Sequence, residues 1–313
     1  MTTPSTHGTT ITQPTPTTIQ DLRSMGLTVN DPSSINDFIT CPRYYFHRHI
    51  EGLIPVDAGD SFKLDFGIAL HLALAHYFKS GRTPDAQVKS LDIFKASFTG
   101  KEEREKITKA GRTLLPIYTI QFGMSLLTYY FLHYSTDLRS TVEVEIPLMD
   151  EIRDGMFLVG VIDLILEDRG TYIINDHKST GNPERFCLNP NLQFMTYNYL
   201  VSKFTGLPQT MITGEVDFLI ISKTKDPSEM LSRPPYSYST DQLTDWESST
   251  VKWLNLITTC RLECDWPQSW YCKRFFKTCS YNPLCSSVTR RGAEALKQTA
   301  YKVEFWNPLA IGE

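Results

Sequence analysis

The chain has no apolar run near the ~18 to 20 residues that a membrane-spanning helix needs. Its longest candidate, Phe157 to Leu166, is short and broken by Asp163. It also has no large excess of charge. Its 31 Lys and Arg stand against 35 Asp and Glu, a net charge of -4, which argues against coating an acidic polymer through bulk charge but leaves room for a local basic groove. The opening Met-Thr-Thr-Pro-Ser-Thr-His-Gly has no basic segment followed by an apolar one. No secretory signal is therefore legible, and a cytoplasmic, nucleoid or nuclear location is expected rather than secretion. With 41% hydrophobic and 12% aromatic residues, collagen-like, wholly disordered and small disulfide-scaffold classes are excluded. Seven cysteines, an odd number, read as thiols or metal ligands in a reducing compartment.

From Thr2 to Thr18 there are nine Thr and three Pro and almost no large apolar side chains, so this stretch is expected to stay flexible. A Ser-capped helix is expected near Ser33–Phe38, before Pro42. Further helices are expected from about Gly67 to Lys79 and from about Thr113 to His133. The period then changes. Val142, Val144, Ile146 and Leu148 alternate with polar residues as in a strand, and the runs Phe157 to Glu167 and Thr171 to His177 form a hairpin around Glu167-Asp168-Arg169-Gly170. A helix at about Pro190 to Phe204, a strand at Gly214 to Ser222 and an amphipathic helix through Leu243, Trp246, Leu254 and Ile257 complete an α/β pattern with the sheet in the middle.

The hairpin carries the most informative residues. Asp163 sits inside an apolar strand, and Asp176-His177-Lys178 ends the next one. Alternation puts Asp176 and Lys178 on one face, where a hairpin partner can bring Asp163 beside them. Two carboxylates and an amine suit phosphodiester hydrolysis: hard oxygen ligands hold Mg2+ or Mn2+, and the lysine steadies the attacking water or the developing charge. The competing reading makes Asp176 a mere strand end and leaves Asp163 in solvent.

Gly160-Val161-Ile162-Asp163 followed by Asp176-His177-Lys178 resembles the core of the PD-(D/E)XK nuclease superfamily, in particular its RecB-like branch. Phe66-Gly67-Ile68-Ala69-Leu70-His71 resembles that branch's upstream F-G-x-x-x-H helix start, and Gln193-Phe194-Met195-Thr196-Tyr197 its Q-x-x-x-Y motif. The resemblance implies a restriction-endonuclease-like central mixed sheet flanked by helices. It implies a metal held by His71, Asp163, Asp176 and the His177 carbonyl. Lys178 would assist the water, and Gln193 and Tyr197 would position the strand or the lysine. Glu145, where many members carry a Glu, reads equally as a solvated strand residue and stays outside the expected site.

Cys272-x6-Cys279-x5-Cys285 is spaced more widely than the two-to-four-residue gaps usual for zinc. With the upstream Cys41-Pro42 it resembles the four-cysteine iron-sulfur staple of AddB-like and CRISPR-associated RecB-like nucleases. That resemblance implies a 4Fe-4S cluster joining N- and C-terminal helical segments, with zinc as the fallback and Cys264 as a substitute ligand. Cys187, Cys260 and Cys264 otherwise read as ordinary thiols. The expected organisation is a disordered tail over 1–30 and one nuclease domain over 31–313, with its sheet at about 140–225 and the staple at 41 and 272–285. Arg43, Arg48, Lys273, Arg274 and Lys277, interleaved with Tyr44, Tyr45, Phe275 and Phe276, suggest a positive aromatic surface. The expected activity is Mg2+- or Mn2+-dependent DNA hydrolysis, exonucleolytic on single strands or DNA ends, in recombination, repair, CRISPR or phage DNA processing. No G-x-x-x-x-G-K-[ST] loop occurs, so any unwinding falls to a helicase or recombination partner. The alternative is a non-catalytic module that holds DNA ends in a larger assembly, which the intact Asp163, Asp176 and Lys178 count against.

Overall fold

The computed structural model describes residues 11–12, 14–57, 62–103, 106–107, 113–114, 116–270, 272–274 and 277–309. In chain order its main elements begin with α1 (Pro16–Ser24), β1 (Thr28–Asn30), α2 (Pro32–Thr40), β2 (Leu53–Pro55), α3 (Phe62–Lys79), α4 (Pro84–Phe98) and α5 (Ile120–His133). They continue with β3 (Ser140–Arg153), β4 (Met156–Asp168), β5 (Thr171–Thr180), α6 (Leu192–Thr205) and β6 (Ile212–Ile220). The last are α7 (Thr240–Glu263), α8 (Arg290–Ala300) and β7 (Tyr301–Val303). The chain divides into two compact units. Met1–Gly59, Met149–Gly160 and Thr244–Leu309 make the first, and Asp60–Leu148 with Val161–Leu243 make the second. Among the described residues no helix is long and apolar enough to cross a membrane.

The second unit is built on the sheet order β3-β4-β5-β6. β4 and β5 pair antiparallel from Leu164↔Asn175 to Asp168↔Thr171. Arg169 and Gly170, at φ of 52° and 83°, form the two-residue turn between them, whose left-handed backbone matches the twist of a hairpin. β5 and β6 pair parallel from Tyr172↔Ile212 to Thr180↔Ile220, and α6 provides the crossover that parallel neighbours require. The sheet is therefore mixed. Phe66, Leu70 and Leu74 of α3, Phe94 of α4 and Leu127 of α5 bury themselves with Val144, Leu164, Leu166 and Leu219 of the strands. α6 lies against β5 and β6. This is the α/β class with a central mixed sheet flanked by helices that the motifs imply. The helix expected from about Thr113 starts later, at Ile120, because Thr119 caps it by accepting a hydrogen bond from the Phe122 N–H.

The first unit corrects the expectation of a disordered tail over 1–30. Residues 1–10 and 13 lie outside the described residues, but Pro16–Ser24 is helical and Thr28–Asn30 is a strand. The reason is local chemistry that a low apolar content conceals. The Thr15 hydroxyl accepts from the Thr18 N–H, Pro16 occupies the first turn, and Ile19 packs with Val29, Met149, Phe157 and Val159. β1 adds parallel to Met156–Leu158. The next helix, α2, is capped by Asp31 rather than by a serine, with Ser34 closing the capping box. N-terminal and C-terminal stretches share this unit: β2 pairs with β7, and the Arg43 N–H donates to the Pro267 carbonyl at 3.1 Å.

Candidate active site

Asp163 comes from the middle of β4, a strand so thoroughly apolar that a carboxylate there must be compensated. The His177 backbone N–H supplies a hydrogen bond to Asp163 Oδ2 at 2.8 Å. The β4–β5 register ends at Leu164↔Asn175, so the next opposed positions are Asp163 and Asp176. Asp176 is only 1% exposed, and both its oxygens are engaged. Lys178 Nζ lies 2.8 Å from Oδ2, and Gln193 Nε2 donates to Oδ1 at 3.0 Å. Gln193 and Tyr197 are one turn apart on α6, and Gln193 Nε2 also reaches the Tyr197 hydroxyl at 3.1 Å. Gln193 thus orients the Asp176 carboxylate, not the lysine.

His71 enters from α3. One turn earlier, a Cβ at Gly67 would stand 3.1 Å from Ser179 Oγ, so the absence of a side chain lets α3 approach β5 closely. His71 Nδ1 then lies 3.6 Å from Asp163 Oδ2 and 3.8 Å from Glu145 Oε1. Glu145 is the residue that sequence reading left out. It is not a solvated strand position: its side chain is 8% exposed, and its φ of 52° puts a left-handed residue inside β3, a backbone that re-aims a strand's side chains. Alternation alone cannot reveal such a kink. The family position was the one signal available.

Nitrogen and oxygen donors of His71, Glu145 and Asp163 lie within 4.8 Å of one another. One imidazole and two carboxylates form a mixed set suited to a divalent ion such as Mn2+. Asp176 stands beside this trio rather than in it, its oxygens occupied by Lys178 and Gln193. The His177 side chain is turned elsewhere, with Nδ1 3.3 Å from Asp217 Oδ2, which also accepts from the Tyr130 hydroxyl at 2.6 Å and Arg233 Nη2 at 2.9 Å.

The electrostatics follow from burial and crowding of like charge. Burial pushes the Asp176 carboxyl up, and the Asp163 charge adds to it, against the pull of Lys178. Burial lowers His71, but the Asp163 charge and the Glu145 hydrogen bond outweigh it and push the imidazole up to about 9. Lys178 is raised because the Asp176 and Asp163 carboxylates overcome its desolvation. The two carboxylates beside His71 therefore favour its protonated form.

In the first unit, Cys41, Cys272, Cys279 and Cys285 line one small cavity. The Ser269 N–H points at Cys41 Sγ, 3.4 Å away. Burial pushes the Cys279 and Cys285 thiols up. Cys187 and Cys264 are exposed, and neither they nor Cys260 line this cavity. Two members of the expected positive aromatic surface are engaged inside the unit. Tyr45 is 2% exposed and stacks on Trp266, while Arg43 Nε donates to the Trp266 carbonyl. Phe275 and Phe276 lie outside the described residues.

The chain was compared with known proteins. It matches none of the curated proteins. A solved structure from Eubacterium rectale, named "Putative exonuclease", is similar at 12% sequence identity and a TM-score of 0.48, covering 92% of this chain and 98% of that one. The sequence model described as the PD-(D/E)XK nuclease superfamily matches residues 32–286. That span is well over half of the chain and contains His71, Glu145, Asp163, Asp176, Lys178, Gln193 and Tyr197, so the protein belongs to the PD-(D/E)XK nuclease superfamily.

Proposed function

We propose that the protein is a Mg2+- or Mn2+-dependent deoxyribonuclease of the RecB-like branch, acting exonucleolytically on single-stranded DNA or DNA ends. The observation that carries this reading is the convergence of Asp163, Asp176 and Lys178, from adjacent strands, with His71 and Glu145. His71, Glu145 and Asp163 would hold the ion, joined by Asp176 and the His177 carbonyl. The ion would supply Lewis acidity and ease ionisation of water. Lys178 carries a full positive charge beside the carboxylates and steadies the charge that develops on the phosphate or the attacking water. Gln193 fixes the rotamer of Asp176, and Tyr197 fixes Gln193. Unwound strands would come from a helicase or recombination partner, in recombination, repair, CRISPR or phage DNA processing within the cytoplasm, nucleoid or nucleus.

The same proposal gives the four thiols a 4Fe-4S cluster with a structural role. They come from residue 41 and from residues 272–285 to line one cavity, and burial disfavours the Cys279 and Cys285 thiolates without a cation.

The test is degradation of end-labelled single-stranded DNA by anaerobically purified protein with Mn2+, beside Asp176→Ala. Wild type degrades the strand and the variant does not. Equal activity in both, or none in wild type, would turn the reading to the non-catalytic DNA-end-binding module. Brown colour with broad visible absorbance, and iron and sulfide in equal amounts, support the cluster. A colourless preparation containing zinc sinks it.

A further inference from the structure

A second cavity lies wholly within the first unit and plays no part in the site above. Its volume is about 560 Å3, within the roughly 300–1,000 Å3 of small-molecule sites. Its walls combine aromatic and aliphatic surface, including Phe305, Trp306 and Ile50, with two guanidinium groups, Arg23 and Arg261.

The two arginines are both half-buried on this wall. Arg23 occupies the last turn of α1 and Arg261 the last turn of α7, where the helix carbonyls favour a cation. Arg23 donates to the Val29 and Trp306 carbonyls, at 3.3 and 3.4 Å, and Arg261 to the Leu27 carbonyl at 3.2 Å and to the Tyr45 hydroxyl. Five N–H groups per guanidinium leave donors to spare. Burial pulls the Arg23 guanidinium below its ordinary range, and the Arg261 charge adds to that effect while Tyr45 and Asp31 oppose it. Asp31 is engaged elsewhere, accepting from the Ser33 and Ser34 N–H groups and from Trp306 Nε1.

Two further groups on the cavity wall have unmet hydrogen-bonding capacity. Asn30 is 1% exposed, and its Oδ1 accepts from the Tyr45 hydroxyl at 2.7 Å and from Ser34 Oγ at 3.2 Å, yet its Nδ2 has no partner. His49 Nε2 is bound to Asp37 Oδ2 at 2.9 Å, and its Nδ1 has no partner. A buried polar group without a partner costs about 1–3 kcal/mol.

These features select one kind of occupant. A simple anion would use the arginines and waste the aromatic walls. A neutral apolar ligand would leave two cations uncompensated. A phosphate is matched by paired guanidinium forks and a planar base by aromatic surface.

We propose that this cavity binds a nucleoside monophosphate, either free or as the 5′-phosphorylated terminal nucleotide of a DNA strand. The choice of a nucleotide over another aromatic anion rests on the nuclease reading.

The test is calorimetric titration of the full chain in EDTA, so that the divalent site is empty and nothing is cleaved. The probes are dTMP, thymidine, inorganic phosphate, and decathymidylate with and without a 5′-phosphate. Saturable one-site binding of dTMP assigns a free nucleotide, and binding of the phosphorylated decamer alone assigns a strand end. In either case thymidine or the unphosphorylated decamer, and inorganic phosphate, bind at least tenfold more weakly. Arg261→Gln weakens binding at least tenfold and Arg261→Lys weakens it less, while Asp176→Ala binds as wild type does. Should Arg261→Gln not fold, the selectivity of the wild-type chain decides. The proposal falls if neither dTMP nor the phosphorylated decamer binds, if phosphate binds as tightly as dTMP, or if folded Arg261→Gln keeps full affinity. Because cleavage is not read, the nuclease proposal can fail in its own assay without this one, and the reverse.

Discussion

The carboxylate cluster of the second unit and the thiol cluster of the first both gather side chains from distant stretches of the chain, but they are held in different ways. Asp163 and Asp176 are fixed by hydrogen bonds before any ion arrives, from the His177 N–H, Lys178 and Gln193. The thiols are held more lightly: the Ser269 N–H reaches Cys41, the Tyr281 and Asn282 N–H groups reach Cys279, and burial pushes the Cys279 and Cys285 thiols up. The difference follows the chemistry of the donors. A buried carboxylate is intolerable without partners, so a hard-ion site must be prepared by the fold. A thiol is a tolerable small hydrophobe until a soft metal takes its proton.

The largest expected effect tests the prepared site. Asp176→Ala should lower the rate of DNA cleavage by about a thousandfold or more, since it removes a carboxylate and leaves Lys178 without its counter-charge. Single-turnover kinetics measure it, and a loss below tenfold would mean that the carboxylates are not a working unit.

Next comes the proton on His71. An imidazole pushed up to about 9 is charged at neutral pH and must release its proton to bind an ion. Mn2+ affinity should therefore rise about tenfold per pH unit between 6 and 8 and level off above about 9. Titration at several pH values with proton-release detection reads this, and a flat profile would remove His71 from the ligands.

The third prediction separates the two clusters. Brief EDTA treatment should strip a divalent ion from the oxygen ligands while leaving visible absorbance from a sulfur-held cluster, whereas ferricyanide should bleach that absorbance. Simultaneous loss of both in EDTA would erase the contrast between hard and soft ligation.

The smallest effect lies in the structural support of the second unit. Burial raises Asp137, but bonds from Arg139 and Arg233 outweigh it and hold its carboxyl down at about 2. A depressed carboxyl contributes stability above its unfolded value, near 3.8, and loses it as pH falls through about 2. Asp137→Asn should cost about 2 kcal/mol near neutral pH, and its difference from wild type in thermal unfolding should shrink as pH drops from about 4 to 2.

The legible part of this protein was the part written in local patterns. Asp163 in an apolar strand, the D-x-K ending, the Gly67-to-His71 turn and the Gln193–Tyr197 pair are all short-range signals, and the fold brings these groups together. Glu145 was not legible, because its direction depends on a kink that alternation does not encode. Residues 16–30 were misjudged because threonine and proline, which lower apolar content, also build helix starts. The division into two units was hidden too, since the first is assembled from three separated stretches that only the folded chain brings into one body.

The left-handed backbone at Glu145 bears on any effort to harden this protein against heat. A side chain in that conformation carries a penalty of roughly 1–2 kcal/mol that glycine escapes, so selection for thermal tolerance alone will favour Glu145→Gly. Such a variant would gain melting temperature while discarding a carboxylate of the proposed metal site, so a stability screen here needs a cleavage assay at its side.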